Sequence, residues 1–147
     1  MLSAITHRRA RGEAAELCFI ARASQFGLNV SKPLGGCLPY DVIVGYASHL
    51  HRVQAKSTMQ YDPRSRRYRC QIVRADRSQP YSPDDVEFIA VYVIPEDLWY
   101  IIPMSTLRAR HISLRPRDPR SRYYPYEERW ELFMQPPAAA RTSNLIR

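Results

Sequence analysis

An alternating stretch of polar and apolar residues near the middle of the chain restricts what that part of the sequence can form. Residues 50–57 have the sequence LHRVQAKS. Successive side chains of a β-strand point to opposite faces, so a period of two predicts a strand. Val53 and Ala55 fall on one face of this strand. Gln54 and Lys56 fall on the other face and are expected to project together.

A second strand is predicted just upstream of the first. Residues 40–44 begin with a polar pair and continue as a β-branched apolar run, which is typical of a buried strand. Residues 45–49 are short enough to connect the two strands as a hairpin. In an antiparallel pair, Asp41 would lie beside the end of the partner strand, where Lys56 is located. We therefore expect the side chains of Asp41, Gln54 and Lys56 to converge.

These residue types suit metal-assisted cleavage of a phosphodiester. Mg²⁺ prefers oxygen ligands in octahedral geometry and retains waters, so a few protein oxygens are sufficient. Asp41 and Gln54 would supply those oxygens, and Mn²⁺ is an alternative ion for such a site. A bound cation lowers the pKa of its water and neutralises phosphate charge. The ammonium group of Lys56 would orient the nucleophile or stabilise the transition state.

A further carboxylate is expected from the first predicted helix. Residues 11–26 lack proline, and Gly27 is a suitable residue to end a helix. The apolar positions at helical spacing are Ala14, Leu17 and Ala21. Glu13 and Glu16 are three residues apart and therefore lie on neighbouring positions of the helix. Spacing alone does not decide which of the two acids reaches the metal.

The order of these motifs resembles the PD-(D/E)XK nuclease superfamily. The matching segments are Gly12–Glu16, Ser31–Pro33 followed by Pro39–Asp41, and Val53–Ser57. The resemblance covers about residues 11–134 and is strongest to the small branch that includes group I intron-encoded homing endonucleases, in which Gln replaces the second acid. It implies that Glu16, four residues after the glycine, is the helix acid. In one departure from the pattern, the proline stands two residues before Asp41.

The resemblance implies an α/β fold, a restriction-endonuclease-like mixed β-sheet flanked by helices. It also implies a Mg²⁺-dependent DNA endonuclease with homing-like or restriction-like activity. Two alternatives stay open: a nuclease similar to the Holliday junction resolvases, and a DNA-binding module that kept the fold without the reaction. One such site cuts one strand, so a homodimer or homotetramer is expected for a double-strand break.

The strongly basic composition favours a polyanionic partner. The net charge is +8, and the basic residues are almost all arginine, which binds phosphate through two parallel hydrogen bonds. Arginine richness can also reflect a GC-rich genome, and composition does not separate the two. The expected contacts with DNA are Arg52, Ser57, Arg64, Arg66, Arg67, Arg69, Arg115 and Arg117. The last two lie in an arginine-rich and tyrosine-rich stretch for which a solvated loop is an equal alternative.

The remaining segments predict the outline of one domain. A basic arm (1–10), a nuclease-like domain (11–134) and a flexible tail (135–147) are expected. The domain should include strands over Phe88–Ile94 and Leu98–Ile102, a short helix that starts at Ser82 and a closing helix over Tyr126–Met134. His49 and His51 are expected to be exposed at the end of the strand, and contact of one of them with substrate is the alternative.

The compartment is also predicted from the sequence. The three cysteines show no paired spacing, the first residues do not resemble a signal peptide, and no apolar run approaches the length of a membrane span. A location in the reducing cytoplasm, without membrane contact, is expected.

Overall fold

A five-stranded mixed sheet with one long helix on its face organises the chain. The computed structural model describes residues 2–74 and 79–136. The helix and strands are α1 (Arg8–Gln25), β1 (Asn29–Ser31), β2 (Val42–Tyr46), β3 (His49–Thr58), β4 (Tyr61–Asp62), β5 (Arg67–Gln71), β6 (Phe88–Val93), β7 (Leu98–Pro103) and β8 (His111–Leu114). Short 3₁₀ helices cover Leu2–Ala4, Ile94–Glu96, Met104–Thr106, Tyr124–Tyr126 and Trp130–Met134.

The main sheet has the strand order β1-β2-β3-β6-β7. Strands β3 and β6 are parallel, and the other neighbours are antiparallel. The α/β class and the mixed sheet predicted from the sequence are confirmed. The hairpin of β2 and β3 is also present, with Val42 opposite Val53. A second sheet, in the order β4-β5-β8, was not predicted from the sequence.

The two faces of the main sheet differ as the alternation in β3 predicts. Val53 packs in a cluster with residues of α1, whereas the register places Gln54 beside Ile89, which packs in a cluster with residues of the second sheet. Lys56 lies two residues further along the same face as Gln54. The polar residues of β3 are therefore on the side of the sheet opposite α1.

Helix α1 packs through a different stripe from the one the sequence predicted. Its buried residues are Ala15, Phe19 and Ala23, whereas the side chain of Leu17 is 63% exposed. Both stripes have helical spacing. The ring of Phe19 lies 5.4 Å from that of Trp99 and 5.3 Å from that of Trp130. Burying this ring removes more apolar area from water than burying Leu17 would, and it adds aromatic contacts.

The ends of α1 only partly agree with the expectation. The helix starts at Arg8, and the imidazole of His7 accepts a hydrogen bond from the N–H of Ala10 at 3.5 Å. Residues 8–10, predicted as part of a basic arm, are therefore the first turn of the helix. The end is as predicted: Gly27 has a φ of +74°, a conformation that favours glycine.

Two predicted helices are shorter than expected. Residues 82–85 form a single turn, in which the Asp85 carboxylate accepts hydrogen bonds from the N–H and hydroxyl of Ser82. The closing helix is reduced to the 3₁₀ segment Trp130–Met134, with Trp130 and Phe133 buried. The strands β6 and β7 are present as predicted.

His51 corrects the expectation of an exposed strand-end histidine. It is 2% exposed, its Nε2 lies 2.9 Å from the carbonyl oxygen of Gln135, and its ring packs against Phe88 and Phe133. Its position on the face of β3 that packs against aromatic rings explains the burial. The predicted tail lies outside the described residues from 137 onward. Within the described residues, α1 and the shorter helices lack the apolar length that crossing a bilayer requires.

The packing of α1 yields a prediction for stability. Phe19→Ala should lower the free energy of unfolding by about 3–5 kcal/mol, because it removes the ring at the centre of the aromatic cluster and leaves a cavity. The matched control Leu17→Ala should change it by less than about 0.5 kcal/mol, because Leu17 is exposed. Urea denaturation followed by circular dichroism measures both. Equal losses in the two variants would contradict the assigned buried face.

Candidate active site

Asp41 is held at the start of β2 by bonds to the neighbouring strand. Its N–H donates to the carbonyl oxygen of Val53 at 3.0 Å. Its Oδ2 accepts hydrogen bonds from the N–H of Ala55 at 2.9 Å and from Nε2 of Gln54 at 2.5 Å. The hairpin register of β2 and β3 produces these contacts. The structure therefore brings together the carboxylate and the amide that the sequence placed thirteen residues apart.

Within the part of the chain that the structure describes, the hydrogen bonds leave one oxygen of each of these two side chains without a donor. Among the described residues, no group donates to Oδ1 of Asp41 or to Oε1 of Gln54. Because the Gln54 nitrogen donates to Asp41, the amide oxygen is left as an acceptor. Both free oxygens are hard donors of the kind that Mg²⁺ prefers.

Lys56 lies in the same groove with most of its side chain buried. Its Nζ donates to the carbonyl oxygen of Val73 at 3.2 Å and lies 5.2 Å from the centre of the Tyr81 ring. Burial lowers the pKa of Lys56 below the usual lysine value, and the Asp41 carboxylate opposes this shift. The ammonium is therefore placed by neutral groups and close enough to Asp41 for their charges to interact.

The surroundings of Asp41 disfavour the ionised form of its carboxyl group. Burial raises its pKa to about 6, and the charge of Glu16 contributes in the same direction. The bonds from Ala55 and Gln54 and the charge of Lys56 lower it only in part. Two carboxylates that repel each other in a buried setting would be relieved by a cation between them.

Glu16 is the helix acid that faces this site. Its charge acts on Asp41, and its Oε2 accepts a hydrogen bond from Nζ of Lys32 at 2.8 Å. That bond raises the pKa of Lys32. Glu13 instead pairs with Arg9, and its side chain is 64% exposed. The geometry therefore favours Glu16 over Glu13 as the acid at this site, a choice that helical spacing alone did not make.

Three of the four predicted catalytic residues line one open groove, and the charge of the fourth, Glu16, acts on Asp41. This groove has a volume of about 310 Å³ and is lined by Asp41, Gln54 and Lys56 together with the loop 36–39. Arg74 and Tyr81 complete its walls and were not singled out as site residues from the sequence. The sequence did not identify these two residues, because they are far from the motif along the chain. Their position in the groove depends on how the second sheet folds over β3.

The donor set fits a hard divalent cation. Within residues 2–74 and 79–136 no three His, Cys, Asp or Glu side chains form a cluster that could enclose a metal. Asp41 and Gln54 supply two free oxygens, and Glu16 adds a nearby carboxylate. Mg²⁺ commonly binds proteins through one or two carboxylates and keeps several waters, so a partial set of this kind is sufficient.

The predicted DNA contacts do not form one surface around this groove. The guanidinium of Arg52 donates to the Glu87 carboxylate at 2.5 Å and to the Asp84 carbonyl at 2.6 Å. Ser57 lies beside Tyr92, on the α1 side of the sheet. Arg52 is therefore committed to an ion pair inside the fold, and Ser57 is on the face opposite Lys56.

The other predicted DNA contacts lie on and around the second sheet. Arg64 is at the turn between β4 and β5, and Arg67 and Arg69 are exposed on β5. Arg66, Arg115 and Arg117 line a separate groove of about 370 Å³. In that groove Arg115 pairs with Asp118, and Arg117 pairs with Glu96. A role for these residues in DNA binding stays a prediction.

Comparison with known proteins finds one matching family model and similar solved structures. The family model described as PD-(D/E)XK endonuclease matches residues 6–133. The solved structure of a bacterial homing endonuclease, I-Ssp6803I, is similar with a TM-score of 0.76 and 29% identity, over 87% of this chain and 93% of that chain. Hjc, a Holliday junction resolvase from Archaeoglobus fulgidus, gives a TM-score of 0.47 and 13% identity, over 72% of this chain and 84% of that chain. No curated protein matches.

The raised pKa of Asp41 predicts a gain in stability on removing its charge. Above pH 6 the ionised group destabilises the folded state, because its folded pKa of about 6 exceeds the ordinary 3.8. Asp41→Asn in EDTA should therefore raise the free energy of unfolding at pH 7 by about 1–3 kcal/mol. The gain should shrink as pH falls from 6 towards 3.8, where the wild-type carboxyl is neutral.

Urea titrations of both proteins across this pH range measure the effect. The neutral control Gln54→Met should show no comparable pH-dependent gain, because it removes an amide and no charge. A variant Asp41→Asn that is less stable than wild type at pH 7 would contradict the assigned electrostatics.

Proposed function

The chain belongs to the PD-(D/E)XK endonuclease family, and on that premise we propose that it is a Mg²⁺-dependent endonuclease that hydrolyses DNA in a homing-like or restriction-like manner. The observation that carries the proposal is the convergence of Asp41, Gln54 and Lys56 on one open groove. Mn²⁺ is the expected substitute ion, because it accepts the same oxygen donors.

The free oxygens of Asp41 and Gln54 would hold the cation, and Glu16 would bind it or order its waters. When bound, the ion supplies a water of lowered pKa and neutralises charge on the phosphate. Asp41 must be ionised for this role, so protons compete with the metal below pH 6. Activity should accordingly fall in acid.

Lys56 would donate hydrogen bonds to the attacking water or to the phosphate. The Val73 carbonyl and the Tyr81 ring hold its ammonium in the groove, so little reorganisation is needed when substrate arrives. Its lowered pKa eases proton release relative to an exposed lysine.

The position of Gln54 sets a limit on the metal site. An amide offers a dipole in place of a full negative charge, so the site holds fewer charges against a cation than one with three carboxylates. We propose that the phosphate of the substrate supplies the missing anionic ligand, which makes cation binding and DNA binding mutually reinforcing.

DNA is the proposed substrate, and a homodimer or homotetramer is the proposed assembly. The net charge of +8 favours binding to a polyanion. One groove cuts one strand, so a double-strand break requires two copies. The cysteines described are free thiols, which suits the cytoplasmic location proposed for the protein.

The first test is plasmid nicking. Wild-type protein with Mg²⁺ should convert supercoiled DNA to nicked or linear forms, and EDTA should stop the reaction. Asp41→Ala and Lys56→Ala should each reduce the rate by about 100-fold or more while DNA binding persists, because each removes a group that acts on the reacting phosphate. Unchanged turnover in both variants would refute the assignment.

The substrates in this assay also separate the alternatives. Cleavage of linear duplex at a defined site supports the homing-like or restriction-like activity, whereas preference for a four-way junction indicates a resolvase-like enzyme. Salt-sensitive DNA binding with no divalent-dependent cleavage indicates a binding module that kept the fold.

A matched pair of variants tests the helix acid. Glu16→Ala should lower single-turnover cleavage by about 10-fold or more, because its carboxylate faces Asp41. Glu13→Ala should leave the rate within about threefold of wild type, because Glu13 is exposed and pairs with Arg9. The reverse order of effects would show that Glu13 is the functional acid.

A further inference from the structure

The groove contains a second cationic side chain besides Lys56. Arg74 lines its wall together with Asp41, Gln54 and Lys56. It directly follows Val73, whose carbonyl oxygen accepts the hydrogen bond from Lys56. Val73 therefore connects the two cations of the groove, because it accepts the hydrogen bond from Lys56 and directly precedes Arg74.

Arg74 and the residue before it are held by backbone contacts with residues 79 and 80. The N–H of Arg74 donates to the carbonyl oxygen of Gln79 at 3.2 Å, and Val73 forms an isolated β-bridge with Pro80. These contacts hold Arg74 at the groove wall. Its guanidinium is therefore presented from a defined position.

The hydrogen-bonding capacity of the Arg74 side chain is not used within the described part of the fold. Its partner is Asp85, at 3.6 Å between Nη1 and Oδ1, which is longer than a hydrogen bond. The other oxygen of Asp85 accepts from the N–H and hydroxyl of Ser82 at 3.1 and 3.2 Å. Asp85 thus orients the Arg74 guanidinium by charge. The planar set of N–H donors of the guanidinium stays available.

Arg52 shows what a structural arginine looks like in the same region. Its donors are taken up by Glu87 at 2.5 to 3.1 Å and by the carbonyl of Asp84 at 2.6 Å. Arg74 makes no comparable bonds among the described residues, although it lies in the groove where substrate is proposed to bind. The contrast favours a ligand outside the chain as the partner of Arg74.

The chemistry of the proposed reaction supplies such a ligand. A phosphodiester has two non-bridging oxygens, and negative charge builds on them as the nucleophile attacks. Asp41 and Gln54 are placed to hold a cation, and Lys56 already donates to Val73. A guanidinium matches the geometry of phosphate oxygens through two parallel hydrogen bonds.

We propose that Arg74 binds the non-bridging oxygens of the scissile phosphate and stabilises their charge in the transition state. This inference rests on the proposed nuclease function and adds a catalytic residue to it. Asp85 is then a positioning residue that keeps the guanidinium directed at the groove until DNA enters.

The test compares single-turnover cleavage of one duplex by wild type, Arg74→Ala, Arg74→Lys and Asp85→Asn. Arg74→Ala should cleave about 100-fold to 1,000-fold more slowly, as expected for loss of one donor to a developing oxyanion. Arg74→Lys should show an intermediate loss, because it keeps the charge without the planar fork. Asp85→Asn should show a smaller loss than Arg74→Ala, because the guanidinium is retained and only the charge that orients it is removed.

Two controls separate this role from a structural one. The rise in melting temperature on adding Mg²⁺ should be the same in Arg74→Ala as in wild type, which shows an intact fold and cation site. Arg129→Ala, which removes an arginine that pairs with Glu131 and lies outside the groove lining, should cleave like wild type.

Each result has a defined consequence. Cleavage by Arg74→Ala within about threefold of wild type, or a greater loss in Asp85→Asn than in Arg74→Ala, would overturn the role of Arg74 and leave the nuclease function standing. Absence of cleavage by wild type itself would overturn the nuclease function and this inference together.

Discussion

The hydrogen bonds accepted by one carboxylate oxygen of the half-buried Asp41 hold the candidate site together. Oδ2 of Asp41 accepts hydrogen bonds from the N–H of Ala55 and from Nε2 of Gln54, so strand β3 is fixed to the residue that carries the charge. The hairpin register makes the contact, and it leaves the opposite oxygen, Oδ1, available. Fold and chemistry are joined at this point, because a shift of one residue in register would turn Gln54 and Lys56 to the other face.

The same arrangement carries a cost that is informative about function. Burial and the charge of Glu16 raise the pKa of Asp41, so the ionised site is less stable than a neutral one would be. A protein selected for stability alone would have no use for two carboxylates in this position. The opposing charges of Lys32 and Lys56 offset the repulsion only in part. The divalent cation that we propose for this site would make the arrangement favourable.

Sequence alone predicted the parts of the structure that depend on local patterns. Alternation in β3 and the apolar run in β2 gave the hairpin, and with it the meeting of Asp41 with Gln54. The buried stripe of α1 was predicted wrongly, because two helical stripes competed and the choice depended on Trp99 and Trp130, far along the chain. Arg74 was missed for the same kind of reason, since folding of the second sheet brings it to the groove. Long-range packing decided the two features that the sequence did not predict, the buried stripe of α1 and the position of Arg74.

The most direct test of the account is an NMR titration of the Asp41 side-chain carboxyl carbon, with and without Mg²⁺. In EDTA the carboxyl should titrate near pH 6, above the ordinary value of 3.8. Saturating Mg²⁺ should lower the apparent pKa, because the cation binds the ionised form. A carboxyl that titrates near 3.8 and does not respond to Mg²⁺ would contradict the claim that the fold disfavours the ionised form of Asp41 and that a bound cation stabilises it.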